Sequence, residues 1–275
     1  MLRRALLFKS DKNYWQQAQI AVDSARRWNP GYDIHVLTDG TYPSGYSDID
    51  GPAGYGPRWL AVGQSGAMVR LLESGYDQVV FVDSDTFTYG PYREVENSLG
   101  LGASILVTPH VTAPLPIERG SPCLVQIAKM GNYNAGFVAA STAGISFLKF
   151  VTEWTAAYNQ IDSENYIAAE QGWLRFALDF DSRAHCFRHP GYNYAYWNCM
   201  QRPLTRTASG ELLAAGRPLR VAHFSGMTPD LNPNKMSRYQ NRVRLEPKSL
   251  EYKLFADYQK LLVARGGFEP PTLAL

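Results

Sequence analysis

Two carboxylates separated by one residue, Asp83-Ser84-Asp85, follow the apolar run Val79-Val80-Phe81-Val82 without a break. Residues two apart in an extended chain point to the same side, so the aspartates converge while Ser84 faces away. Like charges held that close raise each other's energy unless a cation sits between them. A hard divalent ion, its shell completed by phosphate oxygens, meets that need. Another strand end, Val221-Ala222-His223, runs into Phe224-Ser225-Gly226. An imidazole there would complete the carboxylate site, and mixed nitrogen and oxygen ligation favours manganese over calcium. Alone, each motif also has a plainer reading: a solvated acidic strand end, and a packed, hydrogen-bonded histidine.

The surrounding chain supplies elements able to position these groups. Ala5 to Phe8 reads as a buried strand, and Ser10-Asp11-Lys12-Asn13 can turn the chain and cap a helix. Trp15, Ala18, Val22 and Ala25 then make one apolar stripe, stopped at Asn29-Pro30-Gly31, before a second strand from Ile34 to Leu37. Strand, helix, strand predicts a parallel sheet with right-handed crossovers. Val79 to Val82 reads as a central strand covered on both faces, preceded by a helix from Leu60 to Leu72. Further strands are expected at Ser104–Val107, Ala135–Ala140 and Val221–Ala222, and helices at Gly144–Tyr158, Ala168–Leu178 and Leu250–Leu262. The glycine-rich stretch Tyr42 to Gly56 and the proline-rich stretch Pro109 to Pro122 read as loops fit for lids or acceptor walls. One domain over 1–264 is expected, with a flexible tail at 265–275.

Composition narrows the class of protein. With 27 basic and 25 acidic residues the net charge is +2, which gives no footprint for nucleic acid. Hydrophobic residues at 45% and charged residues at 19% exclude a mainly disordered chain. Cys123, Cys186 and Cys199 are scattered and odd in number, so neither a disulfide framework nor a zinc knuckle is expected. The opening apolar run stops at Lys9, too short for a signal segment or a transmembrane segment, and a cytoplasmic location is expected. An apolar strand before Asp-x-Asp also opens phosphatases of the haloacid dehalogenase type, with Asp83 as nucleophile. Phe87, where that pattern wants a small β-branched residue, speaks against it.

Taken in order, the motifs resemble the retaining GT-A fold glycosyltransferases of the family that contains glycogenin and the bacterial lipopolysaccharide galactosyltransferases, glycosyltransferase family 8. The family's nucleotide-contacting turn is matched by Ser10, Asp11, Asn13 and Tyr14, and its Asp-x-Asp by Asp83-Ser84-Asp85. Its Asn-Ala-Gly strand start is matched by Asn134-Ala135-Gly136, and its Asp-Gln-Gly helix start by Glu170-Gln171-Gly172, with glutamate for aspartate. Its Tyr-Asn strand is matched by Tyr192-Asn193-Tyr194, and its His-x-x-Gly by His223 to Gly226. Two departures stand out. Arg70 is the nearest match to the family's donor-contacting cation, and Lys235 lies further along than the lysine of the missing Lys-Pro-Trp.

The resemblance implies an α/β GT-A fold with a mostly parallel central sheet flanked by helices, its nucleotide-binding half at about 1–100 and its acceptor and metal half at about 101–264. It implies a metal-dependent hexosyl transfer from a nucleotide-diphosphate sugar, a UDP-hexose, to a carbohydrate or glycoconjugate acceptor, with retention of configuration. Asp83, Asp85 and His223 would hold a divalent cation, Mn2+ before Mg2+. Gln171 and Glu170 would be catalytic. Ser10, Asp11, Asn13, Tyr14, Arg70, Ser84, Asn134, Ala135, Gly136, Gly226 and Lys235 would bind the donor, and Tyr192, Asn193 and Tyr194 the acceptor. A phosphatase using Asp83 and a non-catalytic nucleotide-sugar-binding protein are the alternatives.

Overall fold

In a computed structural model, residues 2–39, 46–50, 62–117, 120–161 and 169–266 are described. The apolar runs become strands β1 (Arg4–Lys9), β2 (Asp33–Thr38) and β4 (Gln78–Val82), the last buried along its whole length. The predicted helix between the first two strands is α1 (Trp15–Trp28), and the one before β4 is α2 (Gln64–Glu73). A strand the sequence reading missed, β3 (Ser47–Asp50), lies within the stretch expected to be loop; 42–45 and 51–56 of that stretch, and Leu60, fall outside the described residues. It pairs with β2 at the edge of the sheet, and Ile49 alone among its residues packs against the core, so it leaves no apolar alternation in the sequence.

Downstream come β5 (Thr86–Thr88), α3 (Arg93–Gly100), β6 (Ile105–Pro109), α4 (Leu124–Met130), β7 (Tyr133–Ser141) and α5 (Ile145–Ile161). The helix expected over Ala168–Leu178 is broken into α6 (Glu170–Trp173), a 3-10 turn, and α7 (Ala177–Phe180). A two-residue β8 (His185–Cys186), a small antiparallel sheet of β9 (Leu204–Arg206), β10 (Leu212–Ala214) and β11 (Arg217–Pro218), then β12 (Val221–His223) and α8 (Leu250–Gly266) complete the chain. Arg265 and Gly266 belong to α8 and not to a tail, and 267–275 fall outside the described residues. Among the described residues no helix is long and apolar enough to cross a membrane.

The central sheet has the order β3-β2-β1-β4-β7-β6-β8. Its strands run parallel except β7, which pairs antiparallel with both β4 and β6. From β1 the chain winds outward to β3, then returns on the other side of β1 as β4. That reversal is the topological switch point, where α/β sheets open a crevice at the strands' carboxyl ends. Lys9 and Asp83 therefore stand side by side at its floor. One apolar layer packs α2 and α5 residues such as Met68, Leu72, Leu148 and Val151 on one face of the sheet. Val22, Ala25, Val95 and Leu99 from α1 and α3 cover the other. A third cluster joins α8 to β12 and its neighbours through Phe224, Phe255 and Tyr258.

Candidate active site

The aspartates meet in a turn and not in an extended strand, as the sequence suggested. Asp83 and Ser84 leave β4, and Asp85 leads into β5, which pairs antiparallel with β12 so that Thr86 faces His223. This pairing, between segments far apart in sequence, delivers the imidazole to the carboxylates. His223 Nε2 lies 2.9 Å from Asp85 Oδ1 and 3.8 Å from Asp83 Oδ2. One ligand atom from each of the three falls within 4.8 Å of the others. The buried hydroxyl of Ser84 donates to the Lys9 carbonyl and fastens the turn to β1.

The third wall comes from β7, whose antiparallel course sets Phe137 beside Val82 and returns Asn134, Ala135 and Gly136 to the turn. The β6–β7 register shifts between Val107 and Thr108, an irregularity that frees this segment from the ladder. Asp83 N–H donates to the Gly136 carbonyl at 2.9 Å. A Cβ on Gly136 would lie 2.4 Å from His223 Cε1 and 2.7 Å from Asp83 Oδ2, so only glycine leaves the ligand cradle open.

Electrostatics couple the three groups. Burial alone would push the His223 imidazole down, but the charge of Asp85, its hydrogen bond and the charge of Asp83 hold it above its ordinary range. Burial works to raise Asp85, and the imidazole overcomes it and holds the carboxyl low. Asp83 is pushed up by burial, eased by His223, with the charge of Asp85 adding to the rise. In short, the triad favours positive charge at its centre.

Asp83, Asp85 and His223 line a cleft of about 620 Å³ with Asn134, Gln171 and Tyr239. Gln171 is fixed at both ends of its amide: Oε1 accepts Ala135 N–H at 3.1 Å, and Nε2 donates to the Met130 carbonyl at 3.1 Å. Glu170, one residue earlier, turns away from the cleft. Its Oε2 accepts the N–H and hydroxyl of Ser65 at 2.9 and 3.1 Å, on the first turn of α2. Neighbouring residues on a helix point about 100° apart, so the pair cannot share one role.

The turn after β1 carries residues expected to contact a donor, none of which is among those lining the cleft. Asp11 Oδ1 accepts Asn13 and Tyr14 N–H, both at 2.9 Å, which shapes the entry to α1. The hydroxyl of Ser10, buried, donates to the Asp11 carbonyl. Burial raises the Tyr14 phenol, with Tyr239 and Asp85 adding to it. Gly226 has φ +73°, and a Cβ there would strike Tyr239 at 2.6 Å.

Several expected contacts are not found in the cleft. Arg70 is exposed and donates to the Asp50 carbonyl at 2.8 Å, beside β3. Lys235 is exposed on a 3-10 turn. The chain returns from it so that Arg238 N–H donates to the Gly226 carbonyl at 3.1 Å, which sets Arg238 and not Lys235 next to the glycine. Tyr192 and Tyr194 are fully buried and belong to no continuous strand; only Tyr194 makes a bridge, to Ala222. The Tyr192 hydroxyl donates to Glu94 at 2.8 Å, and its ring packs on Phe137. Asn193 is buried between them, against His223. None of the three offers a surface to an acceptor.

Sequence reasoning missed Lys9 and His110. Lys9 is a buried cation at the tip of β1 whose charge is felt by Asp83 and Glu170; burial pushes its ammonium down and the two carboxylates resist. A lysine ending a buried parallel strand was the available signal. His110, at the end of β6, lines the cleft, accepts from Asn134 Nδ2 at 3.1 Å, and is pushed down to about 4 by burial.

No family model matches the chain, and no curated protein matches it. Solved structures do. A glycosyltransferase involved in the glycosylation of the major capsid of PBCV-1 superposes with a TM-score of 0.54 at 11% identity, over 82% of this chain and 94% of that one. The galactosyltransferase LgtC, in complex with donor and acceptor sugar analogues, gives 0.54 at 15% identity, over 98% of both chains. The glycosyltransferase GlyE of Streptococcus pneumoniae TIGR4 gives 0.55 at 15%, over 97% of this chain, which spans 63% of GlyE. The chain has the α/β GT-A fold, a mostly parallel central sheet flanked by helices.

Proposed function

We propose that the chain is a metal-dependent glycosyltransferase of the glycogenin and lipopolysaccharide galactosyltransferase type. It moves a hexose from a UDP-sugar to a carbohydrate or glycoconjugate acceptor with retention of configuration. The observation that carries this reading is the meeting, in one cleft of a GT-A fold, of the Asp83, Asp85 and His223 cluster with the immobilised amide of Gln171. Nothing supports the phosphatase alternative.

The residues fit a divalent ion. Two carboxylates and one imidazole, with an opening that only a glycine at 136 preserves, form a mixed donor set suited to Mn2+ before Mg2+. When bound, the ion supplies Lewis acidity to the departing nucleoside diphosphate, worth several kcal/mol in such reactions. The protein's own part is positioning. Asp83, Asp85 and His223 would hold the ion, and Asp11, Asn13 and Tyr14, on the turn after β1, would contact the nucleoside. Gln171, held at both ends, offers a fixed dipole toward positive charge developing at the anomeric carbon, and a dipole fixed beforehand costs no reorganisation during reaction. Glu170 has no part in that step, since its carboxylate is engaged on α2.

The test is a panel of nucleotide sugars incubated with the purified chain and manganese, with release of nucleoside diphosphate followed by chromatography and then repeated with glycan acceptors. The expected result is consumption of a UDP-hexose that stops on chelation. Calorimetric binding of a nucleotide sugar without turnover would identify a non-catalytic binding protein instead. Failure of every donor to bind or react would sink the reading.

A further inference from the structure

A histidine can ligate a cation only through a ring nitrogen that carries no hydrogen, and the partner of the other nitrogen decides which one that is. His223 Nε2 faces the aspartates, and its Nδ1 lies 2.9 Å from Asn193 Oδ1. An asparagine end can present either an acceptor or a donor, so the orientation of this amide determines the tautomer of the histidine.

That orientation is set by the backbone of β7. Asn193 Nδ2 donates to Thr108 Oγ1 at 2.8 Å and to Asn134 Oδ1 at 2.9 Å. Thr108 spends its own hydrogen on the Phe137 carbonyl at 3.2 Å. Asn134 Oδ1 is turned toward Asn193 because it also accepts Gly136 N–H at 2.9 Å. A reversed Asn193 amide would put its oxygen against Asn134 Oδ1, which has no hydrogen to offer, and would draw the Thr108 hydroxyl away from the Phe137 carbonyl. Oδ1 must therefore face His223, where it can only accept, and Nδ1 must carry the hydrogen. Asn193 is buried and has φ +54°, a left-handed conformation that asparagine tolerates better than most residues. Asn198 Nδ2 donates to its carbonyl at 3.0 Å.

We propose that Asn193 is a positioning residue of the metal site: its side-chain carbonyl holds Nδ1–H of His223, so that the Nε2 lone pair is presented to the cation between Asp83 and Asp85. This rests on the metal-dependent reading above and replaces the acceptor role expected for Asn193. The amide network extends it. Asn134, which orients Asn193, also donates to Gln171 Oε1 at 3.4 Å, so one set of side chains aligns both the metal ligand and the sugar-side amide.

The test uses the full chain without any sugar. Nitrogen-15 NMR of His223 in the protein loaded with magnesium, which is diamagnetic, reports which ring nitrogen carries the hydrogen, and titration followed by the electron spin resonance of free manganese reports affinity. The wild-type chain should carry its hydrogen on Nδ1. Asn193→Gly, which keeps the left-handed backbone and removes the acceptor, should weaken manganese binding by about 10- to 100-fold and lose that tautomer. Asn193→Asp keeps an acceptor for Nδ1 but sets its second oxygen against Asn134 Oδ1 in place of a donor, so it should keep the Nδ1–H signature while melting lower than the wild type. A magnesium-loaded wild-type His223 that carries its hydrogen on Nε2 overturns the inference without recourse to any variant. So does an Asn193→Gly chain that melts lower but binds manganese with unchanged affinity and tautomer. A wild-type chain that binds no manganese overturns this inference together with the metal-dependent reading, whereas binding without sugar transfer overturns only the activity.

Discussion

The carboxylate of Glu170 is seated on the first turn of α2 through Ser65, accepting its N–H at 2.9 Å and its hydroxyl at 3.1 Å. A helix start offers unpaired N–H groups and a partial positive charge, both satisfied here by a side chain from a distant helix. Glu170→Ala should therefore cost about 1–3 kcal/mol of stability and leave manganese affinity alone. Gln171→Ala should do the reverse, with a large fall in sugar transfer and a small change in melting temperature. Chemical denaturation and a transfer assay on both variants decide it; equal catalytic losses would return Glu170 to the cleft.

Lys9 supplies the positive charge that Glu170 and Asp83 share. Removing this buried cation withdraws the charge that eases the burial of both carboxylates. Lys9→Met should be strongly destabilising, and adding Glu170→Gln should return part of the loss, because the double variant no longer buries the unpaired carboxylate. A double-mutant cycle with strictly additive losses would show that Lys9 and Glu170 do not interact.

What the sequence made legible follows from how local each signal is. The run ending at Val82 and the stripe from Trp15 to Ala25 carry their periodicity within a few residues, and β4 and α1 appear there. The order of short motifs led to Asp83, Asp85, His223, Asn134 and Gln171, which the fold gathers in one cleft. Roles that depend on direction were not legible. Glu170 and Gln171 are adjacent in sequence, and only the packing of α6 against α2 separates a helix cap from a cleft residue. Tyr192, Asn193 and Tyr194 alternate like a strand, but the left-handed Asn193 breaks the alternation and buries all three. β3 escaped notice because an edge strand with Ile49 alone packed against the core leaves no apolar alternation.

Proton and cation compete for Nε2 of His223. Its folded pKa is raised above the ordinary value of 6.5 through Asp85 and Asp83, against the opposing effect of burial. A group raised on folding contributes stability that is complete below its unfolded pKa, about 6.5, and is lost as pH rises through the folded value. Asp83, also raised, acts with the same sign. The metal-free chain should thus melt at lower temperature as the pH climbs above about 6.5, while manganese affinity grows over the same interval because binding releases the proton. Melting curves with and without manganese across pH test this, and His223→Ala should flatten the pH dependence. A metal-free melting temperature indifferent to pH in that interval, with pH-independent manganese stabilisation, would remove His223 from the site.

Gly136 tests the cradle without touching a ligand. Its hypothetical Cβ would stand 2.4 Å from His223 Cε1, 2.7 Å from Asp83 Oδ2 and 2.8 Å from Asn134 Oδ1, distances that real Cβ atoms do not adopt. None of these neighbours can yield easily. His223 is tied to Asn193, Asn134 to Asn193 and the Gly136 N–H, and the Asp83 backbone to the Gly136 carbonyl. Gly136→Ala must either push the imidazole and the carboxylate apart or shift β7 from its register, and overpacking of this kind typically costs about 1–3 kcal/mol. The expected outcome is a folded chain of lower melting temperature whose manganese affinity falls at least tenfold, although all three ligands remain. Gly144→Ala, where a Cβ would meet the Ser104 carbonyl at 2.5 Å, is the control, since it should lower stability without affecting manganese. If Gly136→Ala binds manganese like the wild type, Gly136 does not border the ion, and the cation site is not where the two carboxylates and the imidazole converge.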